Sequence, residues 1–176
     1  SCAVKSIVPQ GEVLEVITEV ETLIAKRVVV ATGGSPKKEG LAWLQALGHQ
    51  IVLPVPSLFT FNLPKHEITQ LMGVTIPEVG VKLQGSKLQS EGPMLITHWG
   101  LSGPAILKLS AFGARELADK NYRFQFQINW LGSLKEHELR ETLDSTLAEV
   151  KKRKISNRNP FGLPSRLWDY LLHRSE

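Results

Sequence analysis

Cysteine is nearly absent from this chain: among 176 residues only Cys2 carries a thiol. One thiol excludes a disulfide framework and a cysteine-rich zinc site, and it fits a reducing compartment. Long apolar runs are missing as well. No stretch reaches the roughly 18 apolar residues of a membrane-spanning helix, so the expectation is a cytoplasmic protein with no membrane partner. The five histidines, His49, His66, His98, His137 and His173, lack metal-ligand spacing to one another, and no metal is expected. No G-x-G-x-x-G opens a strand–helix unit and there is no phosphate-binding loop. Neither H-E-x-x-H nor G-x-S-x-G occurs. The chain therefore shows no self-sufficient active site, and its catalytic residues are unassigned. It also starts without Met and without a charged-then-apolar leader, which points to an internal segment of a longer protein.

What is present is globular in composition. Apolar residues make up 42% and charged residues 22%, near the averages for folded domains. The length suits one domain or one and a half and can bury a core without staples. Net charge is +4 with a pI near 9.3. Much of that mild excess sits in Lys151-Lys152-Arg153-Lys154.

Residues 3–31 read as β. Ala3–Val8 stops at the turn signal Pro9-Gln10-Gly11, Val13–Val20 follows, and Arg27–Ala31 is a continuous apolar run of the kind covered on both faces. Residues 40–48 suggest a short helix with Leu41, Leu44 and Leu47 on one side and Gly48 as its stop. Pro54, Pro56 and Pro64 keep Ile51–Leu63 out of any central strand. Val79, Val81 and Leu83 alternate with polar or small residues, Gly85-Ser86 marks a hairpin, and Met94–Thr97 is a short strand. Pro104 opens a helix to about Asp119. Tyr122, Phe124, Phe126, Ile128 and Trp130 alternate with Arg123, Gln125, Gln127 and Asn129, which predicts a half-buried strand over 122–130. Ser133 and Glu136 form a capping box for a helix with Leu139, Leu143, Leu147 and Val150 in one stripe. A last helix over 164–173 turns Leu167, Trp168, Leu171 and Leu172 inward. Strands early and helices late argue for an α+β fold.

Three segments could carry chemistry. Val28–Gly34 ends in Thr-Gly-Gly, which lets backbone approach a bulky ligand just beyond a strand end; a plain strand-to-loop turn is the simpler reading, because strands ending in glycine are common. Thr97–Pro104, THWGLSGP, runs into a helix whose free N–H groups could meet an anion or a carbonyl oxygen. There Gly100 and Gly103 would admit the ligand and Ser102 would cap or donate. The plain alternative is a loop capped by Ser102 with His98 and Trp99 packed for stability. His98 would need a carboxylate within about 3 Å to act as a base, and the sequence shows none. Lys151–Lys154 with Arg158 could bind nucleic acid, but no aromatics interleave with the charges as a stacking site requires, so a solvated helix end is the simpler reading.

Taken in order, VVVATGG, GLAWLQALGHQIVLPVPSLFTF, GPMLITHWGLSGPAILKLS and LPSRLWDYLL resemble the BaiN-like, aminoacetone-oxidase-like family of NAD(P)/FAD-dependent flavoproteins. The resemblance implies an FAD-binding domain interrupted by an insert with a small β-barrel and a helical part. Residues 1–49 would be a segment of the FAD domain, 50–132 the barrel-like insert and 133–176 the helical subdomain. Ala31, Thr32, Gly33 and Gly34 match the strand-end motif placed near FAD, and His98, Gly100, Ser102 and Gly103 match the THxGxSGP signature facing the cleft. The glycine fingerprint for the FAD pyrophosphate would precede Ser1, so FAD would be held mainly by the remaining FAD-domain segments of the parent chain. The fragment alone would be inactive, with NAD(P)H a candidate donor and the small-molecule substrate unknown. Only Ser35–Gly40 joins Gly34 to the Leu41 helix, shorter than the glycine-rich loop of many members. The alternative is a stand-alone β-barrel module that binds nucleic acid or a protein through 151–154.

Overall fold

Gly11, with φ +59°, reverses the chain at a position where an L side chain would be strained. In the computed structural model, which describes residues 2–35, 37–132, 134–150, 155 and 158–174, this turn joins β1 (Val4–Gln10) to β2 (Val13–Thr18) in antiparallel register. The Thr18 hydroxyl accepts from the Val20 and Glu21 amides and donates to the Glu21 carbonyl, closing a second turn. That turn leads into β3 (Thr22–Ala25), which pairs with β2.

The run Arg27–Ala31, expected as a strand buried on both faces, is not a strand. Val29 is 91% exposed, and residues 27–31 join no ladder with any described residue. β-Branched residues make a buried strand only when neighbours pair with both edges and cover both faces. Here the sheet order is β1-β2-β3 and leaves the run out. Further on, a 3-10 turn (Lys38–Leu41) leads into α1 (Ala42–Ala46). Gly48, at φ +90°, stops it as the sequence predicts.

By contact the chain divides into two compact units, Ser1–Val55 and Pro56–Glu176. The second holds a curled half-barrel of five antiparallel strands in the order β4-β7-β6-β5-β8. These are β4 (Phe61–Asn62), β5 (Thr75–Leu83), β6 (Gln89–Ile96), β7 (Gly100–Ser102) and β8 (Phe126–Asn129). Along β6 every second residue is buried, Ser90, Gly92, Met94 and Ile96, the period of a strand with one covered face. β5 buries both Ile76 and Val79 despite their odd spacing. A register shift between them resets the alternation. Pro77 lies in that shift and Pro93 stands opposite it, where the lack of an N–H costs no regular ladder bond.

The helix expected from Pro104 to Asp119 is two: α2 (Pro104–Phe112) and α3 (Ala114–Asp119), divided at Gly113. A Cβ at Gly113 would lie 2.9 Å from the Leu109 carbonyl oxygen and 3.0 Å from Leu88. α2 packs on β6, β5 and β7 and buries Ala105, Ile106 and Leu109 against Ile76, Val79, Met94, Ile96 and Leu101.

β8 is shorter than the nine residues expected. Its partner β5 ends at Leu83, opposite Phe126, and Asn121 and Tyr122 turn left-handed at φ +51° and +58°. α4 (Glu136–Val150) and α5 (Ser165–His173) complete the unit. Leu139 and Leu143 are half-buried and Leu147 is 52% exposed. Leu167 and Trp168 are buried and Leu171 and Leu172 partly so. The Ser133 cap and the Lys151–Lys154 run lie outside the described residues. No described helix is long and apolar enough to cross a membrane.

Candidate functional site

The β6–β7 hairpin carries the segment singled out by sequence. β6 leaves the core at Ile96 and β7 returns at Gly100, paired Leu95 to Ser102 and Ile96 to Leu101. Between them Thr97 closes a tight turn. Its amide donates to the Gly100 carbonyl at 2.8 Å, while its hydroxyl accepts from the Gly100 amide at 3.2 Å and donates to the Gly100 carbonyl at 3.1 Å. The turn lifts His98 and Trp99 to its tip, where both are exposed and their rings lie 4.0 Å apart at 59°. Thr97→Val removes the two hydroxyl bonds and leaves the two backbone bonds between Thr97 and Gly100. The expected cost is about 1 kcal/mol, a fall of about 2–5 °C in a thermal melt.

The two glycines of this segment have reasons inside the fold. Gly100 has φ +156°, and a Cβ there would overlap the Phe61 carbonyl oxygen and sit 2.9 Å from the Leu63 amide nitrogen. At Gly103, φ +98°, a Cβ would lie 2.9 Å from the Pro93 carbonyl oxygen and 3.0 Å from the Met94 Cα. Both positions let β7 and the start of α2 lie against neighbouring backbone. Ser102 is not the helix cap expected of it. It stands in β7 opposite Leu95, while Gly103 holds the N-cap position without a side-chain bond. Pro104 takes the first-turn position, as predicted. His98 has no carboxylate partner among the described residues.

Ala31, Thr32, Gly33 and Gly34 belong to the first unit, outside any strand or helix. Gly33, at φ +76°, needs glycine for its backbone, and a Cβ at either glycine would touch nothing within 4 Å. Gly33-Gly34 is thus an open, side-chain-free stretch of main chain. Among the described residues no group of three or more His, Cys, Asp or Glu could hold a metal ion. Sequence reasoning weighed Trp99 only as a packing residue and missed Thr97 as a clamp. The threonine three residues before a glycine, in a chain that must turn back, was the available signal.

Residues 55–176 match the family model described as HI0933-like protein barrel and H2TH domain. The chain belongs to the HI0933-like family. That family is tied to flavoprotein oxidoreductases and associated with FAD-dependent proteins. A similar protein is the ribosomal RNA dihydrouridine synthase of Haemophilus influenzae, 30% identical over 95 residues, which cover 49% of this chain and 23% of that protein.

FAD needs converging N–H donors for its pyrophosphate. The described residues do not build such a cradle. Gly33 and Gly34 stand in open space, and the next helical turn starts only at Lys38, without a side-chain cap. The residues present fit an edge that FAD could lie against, and they do not amount to a complete FAD site.

Proposed function

We propose that this chain is the substrate-side domain of an FAD-dependent oxidoreductase similar to the BaiN-like flavoproteins, with FAD held mainly by other segments of a longer chain. In this reading residues 1–49 are a segment of the FAD domain, 50–132 the barrel-like insert and 133–176 its helical part. Thr32-Gly33-Gly34 borders the cofactor, and the hairpin tip with His98 and Trp99 faces the reacting centre. The protein's part is to orient the substrate and exclude water, while the hydride chemistry belongs to the flavin. One observation carries the reading. Within a domain of a flavoprotein-associated family, the THxGxSGP segment spends its glycines on internal packing and leaves an imidazole and an indole standing together in solvent.

The substrate class follows the relative named for ribosomal RNA dihydrouridine synthesis. We take it to be a uridine ring within RNA, reduced by addition of one hydride and one proton across its C5–C6 double bond. NAD(P)H is the proposed electron donor.

The test uses the flavin-loaded enzyme that contains this domain. Trp99→Leu and His98→Gln are expected to leave its visible flavin absorbance per protein unchanged. Substrate-dependent flavin reoxidation should slow by about tenfold to a hundredfold, the range for a lost positioning contact. An enzyme that purifies without flavin, or reoxidation that is unaffected in both variants, overturns the reading.

A further inference from the structure

The aromatic face of β8 is never fully covered. Phe124, Phe126, Ile128 and Trp130 are all half-buried, although this is the most regular alternation in the chain. The face opens onto two adjacent hollows of about 700 and 730 Å³, which have Leu63, Phe124 and Phe126 in common in their walls and are taken together as one trough. Tyr170 and Trp130 wall one of them; Phe59 and Tyr122 wall the other. The rings brace each other, Phe61 to Phe124 at 4.8 Å and Phe59 to Tyr122 edge-on at 5.6 Å.

The polar groups along this trough have one character. Arg123, Arg174 and His66 line it, with the neutral Thr60, Asn62, Gln84 and Gln125, and neither lining contains a carboxylate. Arg174 is held over the Tyr170 ring, its carbon 5.9 Å from the centroid and its Nη1 donating to the Tyr170 hydroxyl at 3.1 Å. That hydrogen bond, with the nearby Glu67 carboxylate adding to it, raises the Arg174 pKa above the ordinary arginine value. The His66 Nδ1 accepts from the Ile68 amide at 3.2 Å, which leaves Nε2 to donate outward. The Gln84 and Gln125 amides are exposed.

We propose that this trough binds a single-stranded RNA segment, with bases stacked on the Phe124–Trp130 face and phosphates on Arg123 and Arg174. Successive aromatic faces flanked by cations are what an unpaired strand requires, because every base offers a flat face and every linkage a negative charge. The amides offer both donors and acceptors to base edges. An apolar peptide would leave two guanidinium groups and three amides unmatched, and a lining with cations and no carboxylate of its own, Glu67 standing near Arg174 outside it, favours a polyanion. The inference rests on RNA as the substrate in the proposed function. It adds a strand-holding surface distinct from the hairpin tip.

The measurement is fluorescence anisotropy of a labelled oligouridylate of about ten nucleotides, within the usual site size, titrated with the protein. Trp130→Leu and Phe124→Leu keep apolar bulk and remove the stacking face. Each is expected to weaken binding about tenfold, the lower end for a lost platform. Arg123→Gln and Arg174→Gln should each reduce the dependence of log affinity on log salt by about one phosphate contact. Melting curves verify that each variant is folded. No binding by the unaltered protein overturns the inference. So does binding that survives both aromatic changes but disappears when Lys151–Lys154 are changed to glutamine. Failure of the two proposals is separable. Binding through the trough by an enzyme that leaves uridine unreduced sinks the substrate reading alone. Uridine reduction with unchanged KM in the trough variants sinks this inference alone.

Discussion

Gly100→Ala should unfold the second unit or lower its melting temperature by about 10–20 °C, a loss above about 4 kcal/mol. Two costs coincide at this residue. Its φ of +156° lies where L side chains rarely go, and the added methyl would enter the space of the Phe61 carbonyl oxygen, with the Leu63 amide 2.9 Å away. The obstacle is backbone on a paired strand, not the end of a flexible side chain, so relief requires β4 to leave β7. Gly85→Ala separates the two costs. Gly85 has φ +71° and nothing within 4 Å of an added Cβ, so backbone strain alone should cost about 1–2 kcal/mol. Differential scanning calorimetry on both variants without any flavin makes the comparison. If Gly100→Ala melts within a degree or two of Gly85→Ala, the glycine is not there for internal packing, and a ligand-contact role regains its place.

This bears on what the sequence could reveal. The strands β1 and β2, the second half of β5 from Val79, the end of β6 from Met94, the Gly85 turn, the Pro104 helix start and the C-terminal helix all follow from alternation, turn residues and apolar spacing, each a local rule. The failures depend on neighbours. Arg27–Ala31 has the composition of a buried strand, yet its exposure is set by which strands pair beside it, and composition carries no such information. The one helix read over 104–119 breaks at Gly113, whose ψ of 4° leaves the helical range, and a side chain there would meet the Leu109 carbonyl and Leu88 from another part of the chain. At the candidate site the glycines of THWGLSGP were visible as residues that admit something close. What comes close is the chain's own backbone, Phe61 at Gly100 and Pro93 at Gly103. Periodicity over 122–130 identified the half-buried face, while the hollows in front of it arise from α5 and the Phe59–Leu63 segment, far away in sequence.

Phe61→Ala is the second large effect expected, about 3–5 kcal/mol from the loss of a buried aromatic ring. Phe61 is 2% exposed, and its ring stands 4.8 Å from Phe124, 5.1 Å from Phe126 and 6.2 Å from Phe59. It is thus the closed side of the cluster whose open side forms the trough. Truncation should lower stability and also loosen Phe124 and Phe126, weakening oligouridylate binding in whatever fraction stays folded. Phe61→Leu, which keeps most of the apolar volume, should cost about 1.5 kcal/mol and provides a folded variant for binding measurements. The ring and the carbonyl of Phe61 serve different neighbours through one residue, which makes the double variant informative. With the ring gone, the two-residue strand β4 is held less firmly and can retreat from an alanine at position 100. The cost of Gly100→Ala with Phe61→Ala should therefore fall short of additivity by about 1 kcal/mol or more, as expected for residues in contact. Urea titration of the four proteins measures it, with Phe61→Leu replacing the alanine if the double variant does not fold. Strict additivity would mean that β4 is fixed by its pairing with β7 rather than by the aromatic cluster behind it.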